Sequence, residues 1–568
     1  MKSGSRLHRL LPVAYAAVPL LVVAFVLPSA LRPPPDSANQ GSAYSPDAPP
    51  DKNADTIVRS VRQAGSATAG GALADRGHAA PVSSVAPAPS AAPDPLLRAS
   101  RSGCYPGTPP RQLESVYSVP CEPAFIGDNG GATAAGVTRT DINIVIVWKD
   151  SRPPAGEVTD ISAQSAATVR TLNDLKKYLN QHMELHGRQI RLFVADAPGA
   201  TDESSVRAAA DDAVARYHPL AVLHDEFTPF TDELNKLGVL SFDTNVTNTG
   251  SRRRHNPMSW ALRVQDDINK PIAEIVCKEL KGHLPKQDTG ELSAPAGHFD
   301  KSKPRTFGLV TIADPDIDNH PGQLRELQTC GVTPKPDLHY ALADPTLAAS
   351  QMTQMAAAGV STILYEGDLL SLTAYMSSAS ANEYYPEWVV AGGGVDQSSF
   401  IVRLYDAAQR KNLMGLKMDD IVRDHRISEC FRAVRSVDPG YDADQGTCHI
   451  WWQAAVLVAG ALQLTGPHLT APALGGAFPE LPHLAPDPKN WWAASGFYVK
   501  NRKWGFNDSG SLWWWDDNKP DPDGQNGTYV FADCAHRYLA GQWPSRAARI
   551  FTTSHAASGL ELRACREG

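Results

Sequence analysis

The sequence predicts an α/β protein built on doubly wound parallel sheets. Three observations carry this expectation. The first is the order of elements between Val137 and Asp225, where apolar runs alternate with helical segments. Ile142 to Val147 reads as a strand, a helix follows from about Thr159 to His186 and stops at Gly187, and Gln189 to Val194 is a second strand. A charged helix from Asp202 to Tyr217 then leads into a third apolar run, Leu220 to Leu223. The second observation is that these runs are nearly continuous, not alternating, which is the pattern of strands covered on both faces. The third is that the later half repeats the arrangement. Arg305 to Ile312, Val360 to Tyr365 and Glu387 to Ala391 read as strands, with helices from about Asn319 to Cys330 and Leu369 to Ala381 between them. Ligands of such folds bind beyond the carboxyl ends of the strands, so the loops there are the places to look for function.

At 568 residues, with 20% charged and 42% hydrophobic side chains, the chain has the composition of a soluble multidomain protein. Its net charge of −8 offers no basic footprint, so no nucleic-acid partner is expected. The one basic cluster, Arg252-Arg253-Arg254-His255, reads as a solvated loop.

The amino terminus predicts export. Lys2, Arg6 and Arg9 precede an almost uninterrupted apolar run from Leu10 to Leu31, and basic residues before such a run set an N-in orientation. Residues 1–35 therefore form a signal peptide or an N-terminal membrane anchor; the run fits either, and Pro28-Ser29-Ala30 is a mediocre cleavage site. No cysteine precedes Cys104, which excludes a lipid-modified cysteine there. Residues 36–100 are rich in Pro, Ala and Ser and bury too little apolar surface to offset chain entropy, so they read as a disordered tether. An extracytoplasmic location follows, at the outer membrane face or secreted.

Eight cysteines agree with an oxidising compartment. Sequential pairing is the expectation adopted here: Cys104 with Cys121, Cys277 with Cys330, Cys430 with Cys448, and Cys534 with Cys565, although eight cysteines allow many connectivities. No Cys/His cluster has zinc spacing, and no catalytic signature for acyl transfer, metalloproteolysis or nucleotide binding occurs. A binding protein without cofactor, metal or catalytic residues is expected. The carboxylates Asp314 and Asp316 read as helix caps, and Asp517 to Gly527 as a surface turn, because Lys519 and Val530 stand where calcium ligands belong. The tryptophans Trp491, Trp492, Trp504, Trp513, Trp514 and Trp515 read as packing rather than as a stacking platform for ligands.

A resemblance rests on particular residues. Leu175-Lys176-Lys177-Tyr178-Leu179-Asn180, then His186-Gly187-Arg188-Gln189-Ile190 and Asp196, resembles the first lobe of type I extracellular solute-binding proteins, the family of the branched-chain amino-acid receptors of ABC transporters. The likeness runs from about Gly136 to Pro544 through Ser259 to Arg263, Trp451 to Val458, Trp513 to Asp516 and Arg537 to Pro544, the last two as in actinobacterial members. It implies the type I periplasmic-binding-protein fold, two doubly wound parallel-sheet lobes joined by a multi-strand hinge. Residues 101–568 would then form one bilobed domain, with lobe one at about 137–262 and 396–480, and lobe two at about 263–395 and 481–568.

On that resemblance the ligand loops are Trp148 to Ser151, His224 to Thr228 and Asp243 to Asn245 in lobe one, and Asp314 to Asp316, Tyr365 to Asp368 and Gly392 to Gly394 in lobe two. The candidate ligand-binding residues are Trp148, Asp150, Asp225, Glu226, Thr228, Asp243, Asp316, Tyr365, Glu366 and Asp368. Glu366 is the one singled out, although a carboxylate before a helix also suits the helix dipole. Amino-acid-binding relatives place small residues and hydroxyls in the third loop, whereas this chain has His224, Asp225, Glu226 and Phe227. Two carboxylates there would repel a ligand carboxylate, which favours a polar, cationic or hydroxylated ligand. The resemblance implies capture of a small molecule and its presentation to an ABC permease; the alternative of another class is a membrane-anchored sensing or scaffolding ectodomain.

Overall fold

The computed structural model describes residues 103–148, 161–197, 202–226, 228–247, 252, 254–286, 298–313, 320–341, 344–391, 399–421, 425–485, 496 and 503–567. The apolar amino-terminal run, the tether, Asp150, Asp314, Asp316, Gly392 to Gly394, Trp491 and Trp492 lie outside these residues. Among the described residues no helix is long and apolar enough to cross a membrane.

The first sheet contains β1 (Asp141–Trp148), β2 (Gln189–Asp196), β3 (Ala221–His224), β4 (Leu240–Thr247) and β5 (Ser259–Val264), all parallel in the order β2-β1-β3-β4-β5. Its helices are α1 (Ile161–His182), α2 (Glu203–Tyr217) and α3 (Thr228–Lys236). The reading of β1 as covered on both faces holds residue by residue. Ile142, Ile144 and Ile146 enter a core with Leu172 and Leu175 of α1, while Val145 and Val147 pack with Val206 and Ala210 of α2 and Phe230 and Leu234 of α3. Helix α2 starts where the Asp202 side chain accepts the Ser205 N–H, a standard N-cap. Helix α1 ends at His182, short of the sequence estimate, and the turn into β2 passes through His186 and Gly187, both at positive φ (55° and 76°).

The chain leaves this sheet at Val264 and enters α4 (Gln265–Ile275). The second sheet then builds β6 (Phe307–Ile312), α5 (His320–Gln328), β7 (Asp337–Tyr340), α6 (Ala348–Ala357), β8 (Thr362–Glu366), α7 (Leu369–Ala381), β9 (Glu387–Ala391) and β10 (Leu413–Lys417). Its parallel part runs β7-β6-β8-β9-β10. At the amino ends of these strands the fully buried Glu387 is held by Arg305 at 2.6 Å and by the Thr362 hydroxyl at 2.9 Å.

Because β10 pairs with β9, the return to the first lobe falls after Lys417 and not near residue 396 as expected. Helices α8 (Glu429–Val437), α9 (Gln445–Thr465) and α10 (Ala471–Ala477) then pack on the first core through Phe431, Trp451, Leu457 and Leu474. Trp504 and Phe506 also belong to that core, so the final crossing comes after 506 and not at 481. The segment ahead of β1 joins it as well, through Leu113, Tyr117 and Val119.

The second sheet is not wholly parallel. Strands β11 (Ser509–Pro520), β12 (Asn526–Ala532) and β14 (Ala556–Ser558) extend it antiparallel beyond β10, with β13 (Tyr538–Leu539) pairing β11. The described members of the tryptophan set, Trp504 and Trp513 to Trp515, pack as read. Trp513 and Trp515 enter one face of this sheet and Trp514 the other, all at most 4% exposed. The turn after β11 is closed by Arg403, which bonds Asp523 at 2.7 Å, and Lys519 pairs with Glu561 at 2.6 Å.

Four disulfides join Cys104–Cys121, Cys277–Cys330, Cys430–Cys448 and Cys534–Cys565, the sequential pairing. Chain-entropy arguments scale with the enclosed loop, and these loops span 53 residues for Cys277–Cys330 against 17 for Cys104–Cys121. Replacing Cys277 and Cys330 by serine is expected to cost about 4 kcal/mol, and replacing Cys104 and Cys121 about 3 kcal/mol. Urea unfolding of the two double variants checks the order.

Candidate functional site

Among the described residues three chain segments join the two sheets, and the Asp419 side chain ties them together. Asp419 lies just past β10, on the second crossing. Its carboxylate receives Arg263 Nη1 from the end of β5 at 2.9 Å and Asn507 Nδ2 from the segment ahead of β11 at 3.2 Å. Lys417 Nζ lies 3.8 Å away and also 3.1 Å from His449 Nε2 on α9. Gln453 of α9 exchanges hydrogen bonds with Asn507, and Arg537 donates to the Asp419 carbonyl at 2.9 Å and the Met418 carbonyl at 2.6 Å.

Protonation follows from this arrangement. Burial alone would raise the Asp419 pKa, but Arg263 and Lys417 outweigh it and hold the carboxyl below its usual range. Burial, and then the Lys417 ammonium, push His449 down to about 3. A neutral His449 can therefore accept a hydrogen bond from Lys417.

Glu366 sits beside this hinge. It ends β8, and its Oε1 accepts Gln265 Nε2 at 3.0 Å, from the first residue after β5. The structure thus brings the singled-out carboxylate to the first crossing, where the carboxyl ends of β5 and β8 meet. Tyr365 and Asp368 are brought together with Tyr340 instead. The Tyr340 and Tyr365 hydroxyls are 2.7 Å apart, Tyr340 donates to Asp368 Oδ2 at 3.0 Å, and Asp368 Oδ1 caps α7 by accepting the Ser371 N–H at 2.8 Å. Burial drives the Tyr365 pKa far upward, and its side chain faces the lobe interior rather than a ligand. Gly367 is required by close approach, since a Cβ there would lie 2.1 Å from the Tyr340 hydroxyl.

In lobe one the third loop is wired inward. The Glu226 N–H donates to His224 Nδ1 at 3.1 Å, which leaves the proton on Nε2, 2.8 Å from Ser241 Oγ. Burial and the nearby Arg252 keep His224 neutral. Asp243, expected as a ligand contact, is fully enclosed and paired with Arg252. Arg252 Nη1 also donates to Ser259 Oγ at 2.5 Å, so the basic cluster is not the solvated loop expected: its first arginine is buried to neutralise Asp243. Thr228 is likewise enclosed at the start of α3 and Glu226 is 2% exposed, whereas Asp225 is half-buried at the end of β3. Trp148 ends β1, with its side chain outside the described residues.

Sequence reasoning missed Gln265, Lys417, Asp419, His449 and Asn507. The signal that could have found two of them is Leu413 to Leu416, a short apolar run followed by Lys417-Met418-Asp419-Asp420. A recess of about 230 Å³ lined by Lys411, Trp514, Lys519 and Phe551 lies at the other, amino end of β10 and is not part of this site.

With this geometry in place, the chain can be set beside known proteins. It is similar in structure to a leucine-, isoleucine-, valine-, threonine- and alanine-binding protein from Brucella ovis, at 9% identity and a TM-score of 0.49, covering 72% of this chain and 99% of that one. Its structural likeness is to ABC-transporter substrate-binding proteins. A fatty acid ABC transporter substrate-binding protein from Thermomonospora curvata shares 13% identity, with a TM-score of 0.48 and coverage of 73% and 97%. The branched-chain amino acid transporter substrate-binding protein LivJ from Streptococcus pneumoniae, solved with isoleucine, shares 13% identity, with a TM-score of 0.46 and coverage of 69% and 99%. No protein-family model matches the chain, and no curated protein matches it.

Replacing Asp419 by alanine leaves Arg263 and Lys417 buried without their carboxylate and is expected to cost about 3–5 kcal/mol in urea unfolding. A second hinge carboxylate sets a pH dependence. Burial pushes Asp267, the third residue of α4, up to about 7, with Lys503 opposing and Asp266 and Asp508 adding. A carboxyl raised in the folded state costs stability as pH climbs from its unfolded value near 3.8 through 7. The Asp267→Asn variant lacks that loss, so its melting midpoint should gain on the natural chain from pH 5 to pH 8.

Proposed function

We infer that the chain is an exported, bilobed capture protein that closes on a small polar molecule and presents it to an ABC permease. The observation that carries this reading is the joining of two parallel-sheet units by crossings at the carboxyl ends of β5 and β10, where doubly wound sheets take their ligands. A hinge of a few segments permits closure around a ligand, and closure couples capture to a changed outer shape.

The polar groups support a ligand that carries charge or hydroxyls. Asp225 at the end of β3 and Glu366 at the end of β8 are carboxylates that suit an ammonium or hydroxyl, while Arg263, Lys417 and His449 line the hinge between the lobes. Glu366 has a position to sense closure, because its Gln265 partner stands on the crossing itself. The resemblance in the first lobe, Leu175 to Asn180 and His186 to Ile190, supports transport over sensing.

Thermal unfolding with intact disulfides, against amino acids, polyamines, sugars and aromatic acids, tests this. A ligand that binds only the folded state raises the midpoint, and even micromolar binders register at millimolar concentration. The double variant Asp225→Ala, Glu366→Ala should weaken the ligand so found by well over twofold. A change within twofold, roughly 0.4 kcal/mol, rejects this cleft assignment. No shift across the panel, once copurified ligand is removed, favours the anchored sensing ectodomain.

A further inference from the structure

We propose that lobe two carries a binding site for a first-row divalent transition metal ion, with zinc as the reference case, formed by His320, Asp337 and His339. The site is separate from the hinge and does not rest on the transport reading. Strand β7 is the outer edge of the second sheet, and its alternation places Asp337 and His339 on the same face. His320 is the first residue of α5, and its Nε2 lies 2.9 Å and 2.7 Å from the two Asp337 carboxylate oxygens. His339 Nε2 is 3.6 Å from Asp337 Oδ1, and the ligand atoms of the three residues all fall within 4.8 Å of one another.

An ion pair accounts for one imidazole beside Asp337, not for the second. The His339 ring is also fixed from behind, since its Nδ1 lies 2.9 Å from the buried Thr311 hydroxyl, which leaves Nε2 turned toward the carboxylate. That outer hydrogen bond is the device by which metal-ligating histidines hold their tautomer and direction. Two imidazoles and one carboxylate suit zinc, nickel, copper or iron over magnesium or calcium, which prefer oxygen. Bond lengths near 2.0–2.2 Å set tetrahedral donors about 3.3 Å apart, so the His320–Asp337 contact opens slightly and His339 closes in. Their exposure permits this: the side chains are 15% (His320), 30% (Asp337) and 40% (His339) exposed. Three protein ligands leave positions open to water or a small anion. A bound ion ties the start of α5 to β7 and so braces the open edge of the sheet. Sequence spacing hid the site, because His320 stands far from the Asp337-Leu338-His339 triplet.

The test uses the full, untagged chain with its disulfides intact, titrated with Zn²⁺ by calorimetry and by thermal unfolding. Expected is one strong equivalent per chain and a raised midpoint. In the double variant His320→Gln, His339→Gln that equivalent should be lost or weakened at least tenfold, with the metal-free midpoint little changed. Substitution with Co²⁺ should give a ligand-field spectrum in the natural chain and not in the variant. Equal zinc binding by both chains overturns the proposal, because the ion would then sit among the other histidines of the sequence. Absence of binding by the natural chain overturns it as well. If the double variant unfolds early without metal, the single variant His339→Gln is titrated in its place. Weakened zinc binding there supports the site, and undiminished binding overturns it.

Discussion

The bond set around Asp419 is the constraint on which the rest of the structure depends. One carboxylate is shared by Arg263 on the first crossing and Asn507 on the third, while its own backbone is the second crossing. The three segments come from distant parts of the sequence, and no disulfide joins them. Buried ion pairs contribute little net stability, because desolvation offsets much of the attraction. Their usual service is to select one arrangement, since a misplaced segment would leave a buried charge unpaired. Here that selection falls on the geometry that relates the two sheets.

The ends of the second sheet are built differently. At the amino ends Arg305 and Glu387 are enclosed and paired at 2.6 Å, a static fastening. At the carboxyl ends Glu366 accepts from a side-chain amide, and Lys417 lies between the neutral His449 imidazole and the Asp419 carboxylate, 3.8 Å away. The antiparallel extension through β11, β12 and β14 lies outside this division, and its tryptophans widen the core on both faces of the sheet.

The third loop of lobe one shows how a polar sequence can mislead. Its acidic and histidine residues look like a ligand shell when read in line. In the fold, His224 is held by the Glu226 amide and Ser241, and Asp243 by Arg252. The lobe uses those groups to satisfy its own interior, as buried polar atoms require. Asp225 is the half-buried member of that turn. The same blindness applies to His320, whose partners on β7 are adjacent only after the edge strand is laid down.

By itself the sequence determined the α/β class and the order of the parallel strands' apolar runs; it suggested, without fixing, the sequential cysteine pairing and the inward role of Trp504 and Trp513 to Trp515. These depend on local periodicity, short loops and composition, all of which are written along the chain. The place of Glu366 was legible for a related reason: the end of a strand before a helix is a local position. Tertiary structure alone decided where the chain crosses between lobes, the antiparallel extension of the second sheet, and which charged residues are consumed internally. β10 is five residues long, and its membership of the second sheet is fixed by its pairing with β9 and β11. Arg252 and Asp419 take their roles from partners that folding brings within a few ångströms. Such a role is a property of the pair and the dielectric around it, and a residue's own neighbours in sequence do not encode it.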